Sequence, residues 1–351
     1  MKKYFIILFL ISEFVYSQFT IGKYSGDFLA TGFGSRALGM GGASVASTND
    51  VSSVYWNPAA LAKLKNPEIS FMHDERFGSL VNYDYVGGAM PYGKNIFTDE
   101  TKVDDAGNLI QETDFNLTTF AISLTRLGVD GIPDTRNAWA DSNANGIFDE
   151  YSRPEIDKIT YFNAADWVLY LSVAKQESDK FFWGGNVKLI RRSMKEIGAM
   201  GIGIDLGALY SFSENLNLGI SAQDISTTLL FWSTGKNEVI TPTLKIGAAY
   251  QFEFLNGKIS TSSDLDFRFE GRKKSSFTSL GFASVDPRIG FEYDYKNLIA
   301  ARVGINDNKN LTLGAGIHFR KIDLDYSFAK FDATNELGNS HRISIRIKIE
   351  N

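Results

Sequence analysis

The residues best suited to chemistry lie in one stretch, Asp141-Ser142-Asn143-Ala144-Asn145-Gly146-Ile147-Phe148-Asp149-Glu150. Asp141, Asn143 and Asn145 put side-chain oxygens at alternate positions, and Gly146 takes the sixth place, where a cation loop must turn sharply. Ile147 then offers a backbone carbonyl and Asp149 a carboxylate, which completes the first part of an EF-hand-like calcium loop. The twelfth place holds Ser152 instead of a bidentate Glu. Asp149, Glu150, Glu155 or Asp157 would have to close the shell. A shorter echo, Asp130-Gly131-Ile132-Pro133-Asp134, precedes it. The competing reading is an exposed Asn/Asp/Gly-rich loop that holds no metal.

Other chemistry is sparse. His73, His318 and His341 are scattered and none stands in a zinc spacing. His318 falls on the polar face of its segment, so a lumenal Ser-His pair is the one hydrolase arrangement available, against a solvated histidine. The glycines from Gly198 to Gly203 lack the Lys and Ser/Thr of a phosphate loop. With no cysteine there is no disulfide or thiolate chemistry, and a net charge of -5 without a clustered basic face argues against nucleic acid as a partner. The chain reads as a non-enzyme.

What must position the calcium loop is a set of strands. Lys2-Lys3, the apolar run Tyr4 to Phe14 and the small residue Ser17 before Gln18 form a secretory signal over residues 1–17. From Glu68 onward, segments alternate apolar with small or polar residues. Ile322, Leu324, Tyr326 and Phe328 share one face of a segment, and Asp323, Asp325 and Ser327 the other. Ile343, Ile345, Ile347 and Ile349 do the same against Ser344, Arg346 and Lys348. About fourteen such segments, starting near 68, 83, 116, 166, 181, 201, 216, 242, 257, 288, 299, 310, 321 and 340, run about 9 to 11 residues each, the length a tilted strand needs to cross a bilayer.

Short connections near Glu177, Glu214, Asn256, Lys296 and Lys321 alternate with longer ones over 128–163, 192–200, 224–240, 268–287 and 332–339. A soluble sandwich has no reason to alternate so; an outer-membrane barrel does. Two connections break the rule: 306–309 is short, and 93–114 is long, with a hairpin signal at 103–109. The reading is all-β, a transmembrane antiparallel β-barrel in the bacterial outer membrane, occupying 67–351 and carrying an outer insertion at 128–163. Tyr161, Phe162, Trp167, Phe181, Phe182, Trp183, Phe231 and Trp232 are expected in its interfacial girdle.

Residues 18–66 are different in texture. Ser35 to Leu61 is rich in Gly, Ala and Ser and carries only Arg36 and Asp50 as charges. A barrel of about fourteen strands leaves a lumen that needs filling, and small residues let a backbone pack closely against walls. The segment is therefore expected as a plug, with Arg36, Gly39, Met40, Gly41, Trp56, Asn57, Pro58 and Ala59 as its signature positions.

Gly34-Ser35-Arg36-Ala37-Leu38-Gly39-Met40-Gly41-Gly42-Ala43, followed by Ser52-Ser53-Val54-Tyr55-Trp56-Asn57-Pro58-Ala59-Ala60-Leu61, closely resembles the start of PorV/PorQ family proteins, within the wider group of FadL-like barrels. The resemblance implies a fourteen-stranded barrel whose N-terminal hatch carries an Asn-Pro-Ala motif. It implies two functions. PorV-like proteins assist type IX protein secretion, with secretion-machinery or exported proteins as partners. FadL-like proteins are passive transporters of hydrophobic small molecules such as long-chain fatty acids, with outer-membrane lipid around them and an apolar ligand within.

Calcium titration of the purified protein is expected to show one site of roughly 0.1 to 1 mM affinity, as in extracellular modules, and D141A/D149A to lose it. Identical heats for the two proteins would assign the stretch to the metal-free reading.

Overall fold

The computed structural model describes Thr20–Ile21 and residues 25–93, 96–103, 109–114, 117–141, 146, 150, 152–270, 276–281, 283–330 and 339–349. The expected signal at 1–17 lies outside the described residues.

Fourteen strands close into one ring. They are β1 (Glu68–Arg76), β2 (Val81–Tyr92), β3 (Thr118–Asp134), β4 (Thr160–Gln176), β5 (Phe181–Met194), β6 (Ile197–Ser211) and β7 (Leu216–Gln223, resumed at Thr228–Trp232). There follow β8 (Thr243–Phe254), β9 (Gly257–Arg268), β10 (Ser284–Tyr295), β11 (Ile299–Ile305), β12 (Leu311–Phe319), β13 (Ile322–Lys330) and β14 (Asn339–Lys348). Each pairs antiparallel with the next, and β14 returns to β1 from Glu68↔Lys348 to Glu75↔His341. Closure leaves no barrel edge to expose unpaired amides to hydrocarbon.

The alternation read from the sequence sets the two faces. Ile322, Leu324, Tyr326, Ile343, Ile345 and Ile347 are exposed outward, while Asp323, Asp325, Ser327, Arg342 and Ser344 are buried inward. This is the reverse of a soluble protein and the signature of a lipid-facing wall. Above the apolar band, on the side of the longer loops, an outward row of polar residues marks its limit. There His73 Nδ1 lies 2.7 Å from Asp84, and Arg126 2.9 Å from Asp130.

On the opposite side, the connections are the short ones expected at 177–180, 212–215, 255–256, 296–298 and 320–321. Leu255 and Asn256 both take positive φ, as a two-residue hairpin turn requires. The exception at 93–114 is a hairpin of its own, Ile96–Val103 paired with Leu109–Asp114. Three expectations for the outer side need correction. The connection expected over 224–240 is largely strand, Thr228–Trp232 paired with Asn237–Ile240, and turns only at 233–236. The connection expected over 192–200 is only Lys195-Glu196, because β5 and β6 stay paired to Met194↔Ile197. The loop expected over 128–163 is shortened to 135–159, because β3 and β4 each run 17 residues. At about 3.3 Å per residue they extend well past a hydrocarbon core of about 30 Å.

Leu313, outward on β12, tests the lipid-facing assignment. L313R is expected to lower the unfolding free energy in lipid vesicles by about 2–4 kcal/mol, the cost of a cation near the bilayer midplane, as read by urea denaturation. An unchanged midpoint would place that face in water.

Candidate functional site: the filled lumen and its outer cavity

Residues 25–64 lie within the ring of strands and are almost wholly buried. Their small residues permit only short helical turns, α1 (Ser35–Gly39), α2 (Ser53–Trp56) and a 3-10 turn at Pro58–Lys63. Asn57 makes the link between the last two. It is extended, as a residue before proline must be. Its side-chain oxygen accepts from the Ala59 amide at 3.1 Å, and its side-chain nitrogen donates to the carbonyls of Val45 (2.9 Å) and Ala208 on β6 (3.0 Å). One side chain therefore ties two turns of the inner segment to the wall.

The other signature positions are placed around the ring. Arg36 forks onto Glu292 of β10 at 2.7 and 2.9 Å, and Glu292 in turn accepts from Arg302. The Gly39 carbonyl accepts from Thr312, and Met40 and Gly41 lie against Gly290, Gly304 and Ile305. Trp56 is 1 % exposed, and its indole N–H donates to the Phe33 carbonyl at 2.8 Å. Pro58 and Ala59 rest on Gly184 and Gly207. Carboxylates of the wall also read the inner backbone: Asp264 accepts from the amides of Ser44 and Val45, and Glu68 from that of Val51.

The wall itself has two unlike halves. From β8 round to β1 the inward residues are ion pairs, among them Arg302 with Asp325 (2.6 Å), Arg288 with Asp307 (2.8 Å), Arg342 with Asp74 (3.1 Å) and Arg346 with Asp323. From β2 to β7 the inward residues mix polar groups, among them Asn186, Lys188 and Asp205, with aromatic and apolar ones: Tyr83, Tyr85, Val168, Tyr170, Ile190, Leu209 and Leu230, all buried. Phe33 of the inner segment stacks on Tyr85 (4.1 Å, 15°) and meets Tyr170 edge-on at 6.0 Å.

Above this apolar half, on the long-loop side, a cavity of about 420 Å³ opens. Leu127 and Val129 of β3, Ala164 of β4, Met194 of β5 and Trp232 of β7 give it an apolar lining. Two guanidinium groups also border it, and both are already paired. Arg192 forks onto Asp166 at 2.8 and 3.0 Å with its plane over Phe28, and Arg76 lies 2.6 Å from Asp74. Phe28 and Leu127 connect the cavity to the aromatic cluster beneath.

Beside it the wall is interrupted. On β6, Leu206 faces Ala222 but Ile202 faces Leu229, so four steps along β6 match seven along β7 and three extra residues are accommodated. Asp224 and Thr227 take positive φ to do so. The Asp224 amide donates to Asp205 at 2.8 Å, and buried Lys188 bonds both carboxylates at 2.8 and 2.5 Å. Below the interruption β7 pairs with β8. Above it, β7 pairs with Asn237–Ile240, whose far edge takes Thr20–Ile21 in parallel. Asn237–Ile240 runs on into β8 through Thr241 and Pro242, and within the extra residues the Ile225 amide donates to the Ile204 carbonyl at 2.9 Å, so the wall stays paired across the bulge.

Several expectations are settled by these positions. Phe162, Phe182 and Trp232, expected in the outer girdle, fall on the inward parity of their strands, opposite to Tyr161, Phe181 and Phe231. His318 is lumenal, as expected, but faces Asp323 at 3.0 Å and Asp294 at 3.7 Å. His73 and His341 face outward. Of the calcium residues, Asp141 ends a short strand and accepts from the Gly146 amide at 2.6 Å. Asn143, Asn145, Ile147 and Asp149 lie outside the described residues. Among the described residues no cluster of three or more metal-binding side chains occurs. The cavity lining and the interruption in β7 were not anticipated; the change of alternation phase between Ala222 and Leu229 was the available signal.

No protein-family model and no curated protein matches the chain. Solved structures do. The toluene transporter TodX of P. putida matches with a TM-score of 0.54 at 14% identity, over 91% of this chain and 99% of that one. The Ralstonia pickettii toluene transporter TbuX gives 0.52 at 15% identity, over 91% and 99%. The monoaromatic hydrocarbon channel CymD gives 0.51 at 14%, over 91% and 98%.

Lys188 is the residue whose loss tests the interruption. K188M leaves Asp205 and Asp224 facing each other in a buried site and is expected to cost about 3–5 kcal/mol, read by denaturant unfolding, whereas K188M/D205N/D224N should recover most of it. A K188M protein as stable as the parent would show that the ion triad does not hold the break. These observations give a closed, apolar-faced barrel with the fold of those channels, located in the bacterial outer membrane.

Proposed function

We propose that the protein is a passive conduit for small, uncharged apolar molecules across the outer membrane. The observation that carries this is the 420 Å³ apolar cavity at the outer mouth, set over an aromatic cluster and beside the interruption in β7. Pockets for apolar ligands are concave and largely apolar with few polar groups, and this one fits. Each cation at its border already has a carboxylate partner, Arg192 in Asp166 and Arg76 in the Asp74 that it shares with Arg342, so an entering carboxylate would lose hydration and have to compete for a guanidinium. That favours neutral molecules over fatty acids. The three-residue bulge in β7 distorts the wall beside the cavity, the place where a sideways exit into lipid would have to form.

The fold shared with toluene transporters supports the same reading. The secretion-associated alternative draws only on the resemblance of residues 34–43 and 52–61.

Proteoliposomes are expected to equilibrate labelled toluene faster with the protein than without it, and decanoate no faster. M194D should slow toluene by about tenfold, a loss equivalent to 1.4 kcal/mol. Deleting Ile225-Ser226-Thr227, which restores the register of β7, should slow it too. Toluene flux unchanged in both variants would overturn the reading.

A further inference from the structure

The inner segment meets the wall in two physically different ways. Along β5 to β12 it lies backbone against backbone. A Cβ added to Gly184 would come 2.6 Å from the Pro58 carbonyl oxygen, and one added to Gly219 2.5 Å from that of Val45. Gly290 and Gly304 are equally close to Met40, and a Cβ on Gly314 would lie 3.2 Å from the Gly39 Cα. The one glycine of β9, Gly257, does not face the segment, and there Asp264 takes the Ser44 and Val45 amides. Wall and segment are thus fitted at positions where no side chain can rotate to make room. Along β1 to β4 the wall meets the segment through its side chains: Glu68 and Met72 accept from the amides of Val51 and Gly34, and Phe33 lies between Tyr85 and Tyr170 with Tyr83 in the same cluster. Aromatic and methionine side chains can change rotamer without moving the backbone.

We infer that the inner segment stays clamped on β5–β12 while molecules pass, and that the Phe33–Tyr85–Tyr170 stack on the β1–β4 side is the gate. This rests on the conduit reading for what passes the gate, but not for the clamp. The gate is a specificity element: ring-sized molecules displace Phe33 within a stack of rings, whereas unplugging would break the Asn57, Asp264, Glu68 and Arg36 contacts together.

The chain has no cysteine, and the hydroxyl oxygens of Ser35 and Ser344 are 2.7 Å apart. S35C/S344C oxidised in proteoliposomes is therefore locked to β14 without competing disulfides. Its toluene flux should match the reduced form, and F33A should raise flux several-fold. A flux that falls tenfold on oxidation and returns with reductant would overturn the inference. Hydrogen exchange decides the clamp separately, even where the wild type moves no toluene and the conduit reading fails. The Ser44 and Val45 amides should exchange as slowly as those of β9; exchange a hundredfold faster would show that the segment leaves its seat.

Discussion

A ring of fourteen strands is too wide to be filled by the side chains of its own wall, and everything distinctive in this molecule follows from that. The inward positions must be polar enough to leave the apolar residues for lipid, yet no buried charge is tolerated without a partner. Residues 25–64 answer both needs. They bring backbone amides to Asp264 and Glu68, a guanidinium to Glu292 and a bridging amide at Asn57, so the lumen is packed and most of its polar groups are matched. The glycines of the wall are a consequence. Main chain touches main chain at Pro58, Val45 and Met40 because Gly184, Gly219 and Gly304 carry no Cβ.

The division of the lumen into a charged half and an aromatic half gives the packing a direction. Ion pairs such as Arg302 with Asp325 and Arg346 with Asp323 fix side chains on β10–β14 in geometries that a guest cannot share. The other half keeps one buried ion triad at Lys188, but around Phe33 it is bound by dispersion and ring contacts, which re-form in more than one arrangement. Cavity, aromatic cluster and the interruption in β7 all lie on this second half or at its border, so an apolar guest meets no unpaired cation between the outer mouth and the wall.

Much of this was legible in the sequence. All fourteen strand starts fall within six residues of their expected positions, because period-2 alternation is enforced at every residue of a wall with lipid on one side. Asn57-Pro58 also declared itself, since few contexts need a turn of that chemistry amid Ala and Gly. The ends of strands were less readable: β3 and β4 continue to Asp134 and from Thr160 through residues that look like loop, as pairing outside the bilayer needs no apolar face. Phe162, Phe182 and Trp232 were misplaced because aromatic type suggests an interface, whereas parity along the strand decides the side. The cavity is formed by residues from β1 to β5 and β7, and no local pattern in any one strand announces that they converge.

The central claim is that the apolar half of the lumen receives an uncharged guest. Crystals soaked in 4-bromotoluene, with anomalous bromine scattering, test it most directly. The account predicts bromine among Leu127, Met194 and Trp232, above the Phe33 stack. Bromine confined to grooves on the lipid-facing wall, with the cavity holding only solvent, would contradict it.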